Sequence, residues 1–405
     1  MAPVTALPAA EWRERPGLRR IVAALAADGG AVKIVGGAVR DTLLGLAVTD
    51  IDLATPLLPQ EVTRRLEAAD IKVIPTGIAH GTVTAIASGD HHEITTLRRD
   101  VETDGRRATI AFADDWRDDA ARRDFTINAL YADADTGEID DWFDGLADLK
   151  AGRVAFIGDA ATRIAEDHLR ILRFYRFAAR FGRGDLDAVS HAAVVTARQS
   201  LKSLSRERIA DELLKILSLP EPRGIVDQMA ADGIFEVVLP ELAPDFSRVL
   251  SELTENERQA GVIPSPLRRL SALLPADAAI AEQVAARLRL STRQRKHLAA
   301  LGGSRADNAR PVRQLAHTIG VDAARDVHLL ANDTASAKAA VAALSGWTVP
   351  EMPLKGGDIV ARGIAVGPEV ARVLKAVEAA WVAEDFPDAA RVAQLVDQKI
   401  GRTSD

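Results

Sequence analysis

The segment Val35–Thr55, "VGGAVRDTLLGLAVTDIDLAT", joins a glycine pair, a short amphipathic pattern and two aspartates one residue apart. Val32 to Val35 reads as a strand and Ala38 to Leu44 as a helix closed by Gly45, so Gly36 and Gly37 form the turn between them. Such a turn lets backbone N–H groups and a helix start approach a phosphate, although a plain strand-to-helix turn also accounts for the glycines taken alone. Arg40 falls in the first turn of that helix, where a positive charge opposes the macrodipole unless an anion lies close by. The spacing is neither GxGxxG nor a Walker loop, so neither a dinucleotide fingerprint nor a P-loop is present. Side chains alternate along a strand, which puts Asp50 and Asp52 on one face of "DIDLAT". Two like charges about 4 Å apart repel by roughly 1 kcal/mol in water and about 4 kcal/mol at an effective dielectric of 20. The pair calls for a cation or a proton between its members, and a hard divalent ion, Mg²⁺ first, suits oxygen ligands. By itself a DxD is more often a solvated strand end.

The 405-residue chain, 47% hydrophobic, is long enough for two to four packed domains. Cysteine is absent, which excludes disulfides, thiolate metal sites and a cysteine nucleophile. A net charge of -7 argues against a uniformly basic coat, leaving any nucleic-acid contact to local patches. No apolar run approaches the roughly 20 residues that span a bilayer, and "MAPVTALPAAEWRERPG" lacks the order of a signal peptide. The expectation is a cytoplasmic protein without membrane contact and without an obligate protein partner. Short β-branched segments such as "AVKIVGG", "IKVIPTG", "GTVTAIASG", "HHEITTLR" and "ATIAFAD" alternate with helical patterns up to about residue 150. Beyond it only helical periodicity remains, broken by Pro and Gly into three units, and the expected boundaries are 1–150, 151–220, 221–330 and 331–405.

The glycine turn, Arg40 and the carboxylate pair together make a triphosphate-plus-metal pattern. "VGGAVRDTLLG....DIDLAT" resembles the first signature of the class II tRNA nucleotidyltransferase and bacterial poly(A) polymerase family, within the polymerase-β-like nucleotidyltransferases. The resemblance implies an α+β protein: a nucleotidyltransferase head with a mixed sheet, followed by an all-helical neck, body and tail. It also implies that Asp50 and Asp52 hold catalytic Mg²⁺ ions. One would activate an RNA 3′-hydroxyl and both would stabilise in-line attack on the α-phosphate, with pyrophosphate leaving. Glu93, on an adjacent strand, is the candidate third carboxylate, and an exposed strand glutamate is the plain alternative. His91 and His92 alternate in face and lack a third partner at ligand spacing, so they are not read as a metal site.

Further segments follow in order. "RRDFTINAL" resembles the family's second signature, which implies nucleotide contacts from Arg123, Asp124 and Asn128, although Asp124 could simply cap a helix starting at Phe125. "LRRDVETDGRRATIAF" resembles the loop after the catalytic strands, and "DWFDGLADLK" the hinge to the neck. In "EDHLRILRFYRFAARF" Asp167, Arg170 and Arg173 recur at i+3 steps and share a helix face, which alone would be a solvated stripe. Within the resemblance this helix chooses the base. Asp167 accepts from the amino group of cytosine or adenine and Arg170 donates to the ring nitrogen, while UTP and GTP meet like groups, a mismatch of roughly 1 to 3 kcal/mol each. Arg173 and Arg176 carry over as further nucleotide contacts, and Glu166 would orient Arg170.

"RLRLSTRQRKH", with Arg287, Arg289, Arg293, Arg295 and Lys296, is a local cation cluster suited to phosphates, and "PLKGGDIVARGIAVGPEVARVL" resembles the family's RNA-binding tail. The expected activity is CCA addition from CTP and ATP to the tRNA 3′ end. Poly(A) polymerase and a CC-adding enzyme are the alternatives, the loop "TDGRR" favouring CCA, and a non-catalytic RNA-binding factor is the rival from another class.

Overall fold

The computed structural model describes residues 5–78, 81–103, 108–331 and 333–401. The chain divides into two compact units, residues 1–216 with 227–238, and residues 217–226 with 239–405.

The first unit holds every named strand: β1 (Lys33–Val35), β2 (Asp52–Thr55), β3 (Lys72–Gly77), β4 (Thr82–Ala87), β5 (Asp90–Thr96), β6 (Arg98–Thr103), β7 (Ala108–Phe112), β8 (Tyr131–Asp133) and β9 (Ile139–Asp140). Seven form one mixed sheet in the order β3-β4-β5-β2-β1-β8-β9, in which only the β2–β5 pair is parallel. Ile34, Leu53 and Ile94, aliphatic and almost wholly buried, fill the centre of this sheet. Helices α1 (Pro16–Ala26) and α3 (Pro59–Ala68) start with proline in the first turn, where its missing N–H costs nothing, and pack on β4. α2 (Gly37–Leu43) leaves β1 directly, and α4 (Trp116–Ala121) is capped by the Asp115 side chain.

β6 and β7 pair as a separate two-stranded ribbon, where only the second was expected as a strand; the charged "RRDVET" is a sheet edge and shows no apolar alternation. Of the loop "TDGRR", residues 104–107 lie outside the described residues. After β9 the chain is helical, as expected: α5 (Gly145–Ala151), α6 (Ala160–Glu166), α7 (Arg170–Phe181), α8 (Ala188–Ala197), α9 (Arg206–Leu217), α10 (Arg223–Ala231) and α11 (Phe235–Val238).

The remaining helices belong to the second unit: α12 (Phe246–Gln259), α13 (Pro266–Ala272), α14 (Ala278–Arg287), α15 (Thr292–Ser304), α16 (Val312–Ile319), α17 (Val321–Leu329), α18 (Thr334–Leu344), α19 (Gly356–Val360), α20 (Pro368–Ala383) and α21 (Ala389–Lys399). Its interior includes an ion cluster as well as apolar contacts. Glu257 on α12 accepts from Arg268 and Arg269 on α13, and Arg268 reaches Asp326 on α17 at 2.8 Å, all four side chains being nearly fully buried. A second core gathers α19, α20 and α21 around Trp381. No described helix is long and apolar enough to cross a membrane.

Candidate active site

Strand register decides what meets at the start of β2. Asp52 lies opposite Val35 on β1 and opposite Glu93 on β5, so the Gly36 turn stands beside the aspartates. β2 begins at Asp52; Asp50 precedes it in a loop, where Thr49 donates its hydroxyl to the carboxylate at 3.1 Å. The expectation that strand alternation unites the two aspartates is thereby corrected, because β1 ends at Val35 and leaves Asp50 without a ladder partner.

A cleft of about 490 Å³ opens here, lined by Gly36, Gly37, Arg40, Asp50 and Asp52, and across from them by Arg123, Asp124, Asn128, Arg173, Phe177 and Arg180. Gly36 has φ +64° and ψ -115°, a region closed to residues with a Cβ, and a Cβ there would stand 3.1 Å from Nη1 of Arg123. The Gly36 N–H is already donated to the Leu130 carbonyl at 3.0 Å, so it is not free for a phosphate.

Arg123 is aimed from behind. Its Nε donates to the Tyr131 hydroxyl at 2.8 Å, that hydroxyl donates to Asp119 at 2.5 Å, and Asp119 also pairs with Arg123 at 3.5 Å. Burial alone would raise the Asp119 carboxyl, but Arg122 and Arg123 outweigh it and hold it below the usual value. Tyr131 is gripped edge-on by Trp116 and Trp142, with ring centroids 6.0 and 5.5 Å away.

Arg40, Asp124, Asn128 and Arg173 form one hydrogen-bonded run from α2 to α7. Arg40 donates to Asp41 at 2.8 Å and to the Asn128 side-chain carbonyl; Asn128 donates to Asp124 at 3.0 Å; Arg173 donates to Asp124 at 2.7 Å. Arg180 returns from α7 to Asp41 at 3.3 Å. Arg40 thus meets an anion of the protein itself: burial pulls its pKa down and Asp41 opposes that pull. Asp124, which burial would raise, is held below the ordinary aspartate value by Arg173 and the Asn128 amide. Residues Thr126–Asn128 form a 3₁₀ turn with no side-chain cap, so Asp124 is a joint between elements and not the cap of a helix.

Four expected residues lie outside the cleft lining. Glu93 is in register with Asp52 and exposed on the neighbouring strand. Asp167, Arg170 and Arg173 do not share one helix: α6 stops at Glu166, Asp167 is extended at φ -151°, and α7 starts at Arg170. The Asp167 carboxylate causes this by accepting the Leu169 N–H at 3.1 Å, in competition with helical bonding. Its other oxygen takes Arg208 at 2.7 Å. Arg170 is held by Glu166 at 2.5 Å, as expected, and also by the carbonyls of Arg163 and Arg122 at 2.7 and 2.8 Å. Arg176 turns to Glu212 on α9 at 2.6 Å. Sequence reasoning missed Asp41, Asp119, Tyr131, Phe177 and Arg180. Arg173 and Arg180, at i and i+7 on α7, lay on one readable stripe.

Whether these groups fit a metal follows from the electrostatics of Asp52. Loss of water, then the charges of Glu93 and Asp50, push its carboxyl above the usual aspartate value, with Arg123 acting against them. A carboxyl crowded by two neighbouring negative charges calls for a cation, and oxygen ligands suit a hard divalent one. Among the described residues no three histidine or carboxylate groups are gathered around one point.

A mixed sheet thus carries the aspartates at one strand end, and arginines from the following helices line the same cleft. The profile of the poly(A) polymerase head domain matches residues 32–155, and that of the probable RNA- and SrmB-binding site of polymerase A matches residues 185–246. CCA tRNA nucleotidyltransferase 1, mitochondrial, from Mus musculus is 32% identical over 381 residues, covering 90% of this chain and 86% of the relative, and the Homo sapiens protein matches to the same extent. The Bacillus stearothermophilus CCA-adding enzyme in complex with CTP superposes with a TM-score of 0.76 at 26% identity, over 96% of this chain and 99% of the other. The Thermotoga maritima CCA-adding enzyme complexed with tRNA shares the fold, with a TM-score of 0.69 at 22% identity over 95% and 94%. The chain belongs to the CCA tRNA nucleotidyltransferase family.

Proposed function

We propose that this protein adds C, C and A from CTP and ATP to the 3′ end of tRNA, without a template and with Mg²⁺. The observation that carries the reading is the likeness to a CCA tRNA nucleotidyltransferase across nine-tenths of the chain, head and helical part together. Asp50 and Asp52 hold the metal, which polarises the phosphate and lowers the pKa of the attacking hydroxyl when bound. Arg123, braced by Tyr131 and Asp119, and Arg40 and Arg173 in the joint of α2 with α7 bind and orient the triphosphate. Glu93, in register with Asp52 on the neighbouring strand, enters as the third carboxylate of the site.

Asp167 and Arg170 read the base from the α6–α7 joint. In the free protein their contacts are Arg208, Glu166 and two backbone carbonyls, so reading requires exchange of those contacts, and the solvent-reached Asp167–Arg208 pair is cheap to exchange. Arg176 acts from outside the cleft through its place beside Phe177, 4.6 Å from the ring centre. Residues 1–150 serve as head, 151–220 as neck, 221–330 as body and 331–405 as RNA-binding tail. A cytoplasmic location goes with this reading and is checked by fractionation.

The test is to incubate the protein and Mg²⁺ with tRNA transcripts ending before CCA, after C and after CC, supplying each nucleotide alone and CTP with ATP. Extension that stops at CCA and rejects UTP and GTP is the expected result. A long A ladder identifies a poly(A) polymerase, arrest at CC a CC-adding enzyme, and no extension overturns the catalytic reading.

A further inference from the structure

Helix α7 carries one stripe of Arg173, Phe177, Arg180 and Phe181, at i, i+4, i+7 and i+8. Phe177 and Phe181, one turn apart and both buried, form a slot that receives the guanidinium of Arg40 from α2, its Cζ 5.3 Å from the first ring centre and 4.1 Å from the second. The same rings take the arginines of α7. Arg173 and Arg176 stand 5.1 and 4.6 Å from the Phe177 centre, and Arg180 stands 4.9 Å from that of Phe181. Four guanidinium groups thus gather on two rings.

The rings stand where a carboxylate would otherwise be needed. Arg40, Arg173 and Arg180, three of the arginines that line the cleft, share two carboxylates, Asp41 and Asp124, and Asp41 serves both Arg40 and Arg180. Arg40 is nevertheless almost wholly buried, a position whose desolvation has to be offset. An aromatic face attracts a cation through its quadrupole but carries no net charge, so it offsets that cost without cancelling the positive charge. A third carboxylate in the slot would hold the guanidinium and neutralise it toward an incoming anion. The rings are fixed in turn, Phe177 packing on Phe125 and Phe181 at centroid separations of 5.1 and 5.6 Å.

We infer that Phe177 and Phe181 are positioning residues for the triphosphate: their π faces hold Arg40, Arg173 and Arg180 in the cleft with their charge uncancelled. This rests on the reading that the cleft binds a nucleoside triphosphate, and it assigns to two uncharged side chains a share of the affinity for the phosphates. On the same reading the base is met at the α6–α7 joint, so the slot acts alike on CTP and ATP and leaves the choice between CTP and UTP untouched.

The test replaces Phe181, in the full chain, by mono-, di- and trifluorophenylalanine, because each fluorine withdraws electron density from the ring face while changing its shape little. Binding of cytidine 5′-(α,β-methylene)triphosphate with Mg²⁺ is read by calorimetric titration, and steady-state rates with CTP and a tRNA transcript lacking CCA are read beside it. The expected result is a stepwise rise in Kd, about tenfold at three fluorines, with a parallel rise in KM and kcat changed by less than about twofold. The ratio of kcat/KM for CTP over UTP stays constant, which a loosened helix would not give. The same series at Phe156, which packs on Phe125 and Phe174 with no guanidinium over its ring among the described residues, leaves Kd unchanged. A flat series at Phe181 overturns the inference, and so does an equal rise at Phe156; either holds even where Phe181→Leu weakens binding, since packing alone would then be at work. If the parent chain binds no triphosphate, the reading of the cleft falls and this inference with it, whereas binding by the parent with a flat series overturns the inference alone.

Discussion

Burial and the charges of Glu93 and Asp50 hold the Asp52 carboxyl above the ordinary aspartate value, and the sign of that shift has two consequences. Between the unfolded and folded pKa values the folded chain binds more protons than the unfolded one, so stability falls as pH rises through that window and Asp52 costs stability at neutral pH. Asp52→Asn should therefore abolish transfer while raising Tm by a few degrees, checked by product gels and calorimetry on the same sample. Metal binding needs the ionised form, so protons compete with the metal for Asp52 and metal affinity, read by calorimetric titration, should fall as pH is lowered. Asp124 behaves oppositely. Its depressed pKa gives stability that is complete above the unfolded value and lost as pH falls through the lower folded one. Acid unfolding followed by Trp fluorescence should set in earlier when Arg173 is replaced by Gln.

At the scale of elements, the turn from β1 into α2 is decisive. Gly36→Ala forces a Cβ into a positive-φ residue and toward Arg123, which should cost about 1–3 kcal/mol and raise the KM for CTP more than it lowers kcat. The break between α6 and α7 gives a further prediction. Glu166→Gln removes the charge that fixes Arg170 and should lower the preference for CTP over UTP about tenfold, read as a ratio of kcat/KM values. The strand–turn–helix reading of Val35–Thr55 was legible because glycines act locally, whereas the pairing of Glu93 with Asp52 joins distant strands and is encoded by no local pattern. The helix break at Asp167 was not, because it turns on one carboxylate choosing the Leu169 N–H over solvent. The joint of Arg40, Asn128, Asp124 and Arg173 brings together residues far apart in the chain, and no periodicity encodes which arginine meets which acid.

Across the whole molecule, the division into a strand-bearing part and a helical remainder could be read from periodicity alone. The buried ions of the second unit could not: Arg268 and Arg269 look like a solvated pair in "SPLRRL". Glu257→Gln would leave the buried Arg269 guanidinium without its carboxylate and Arg268 with Asp326 alone, at a cost of about 3–5 kcal/mol, and should lower the first melting transition by roughly 10 °C in a calorimetric scan. The edge-on grip of Trp116 and Trp142 on Tyr131 makes two of the chain's five indoles near neighbours of the bracing behind Arg123. Charge arriving at that guanidinium changes the field across both rings, so the protein carries its own optical gauge of cleft occupancy. A titration with a non-hydrolysable triphosphate can be followed by emission wavelength, without a dye or an engineered label.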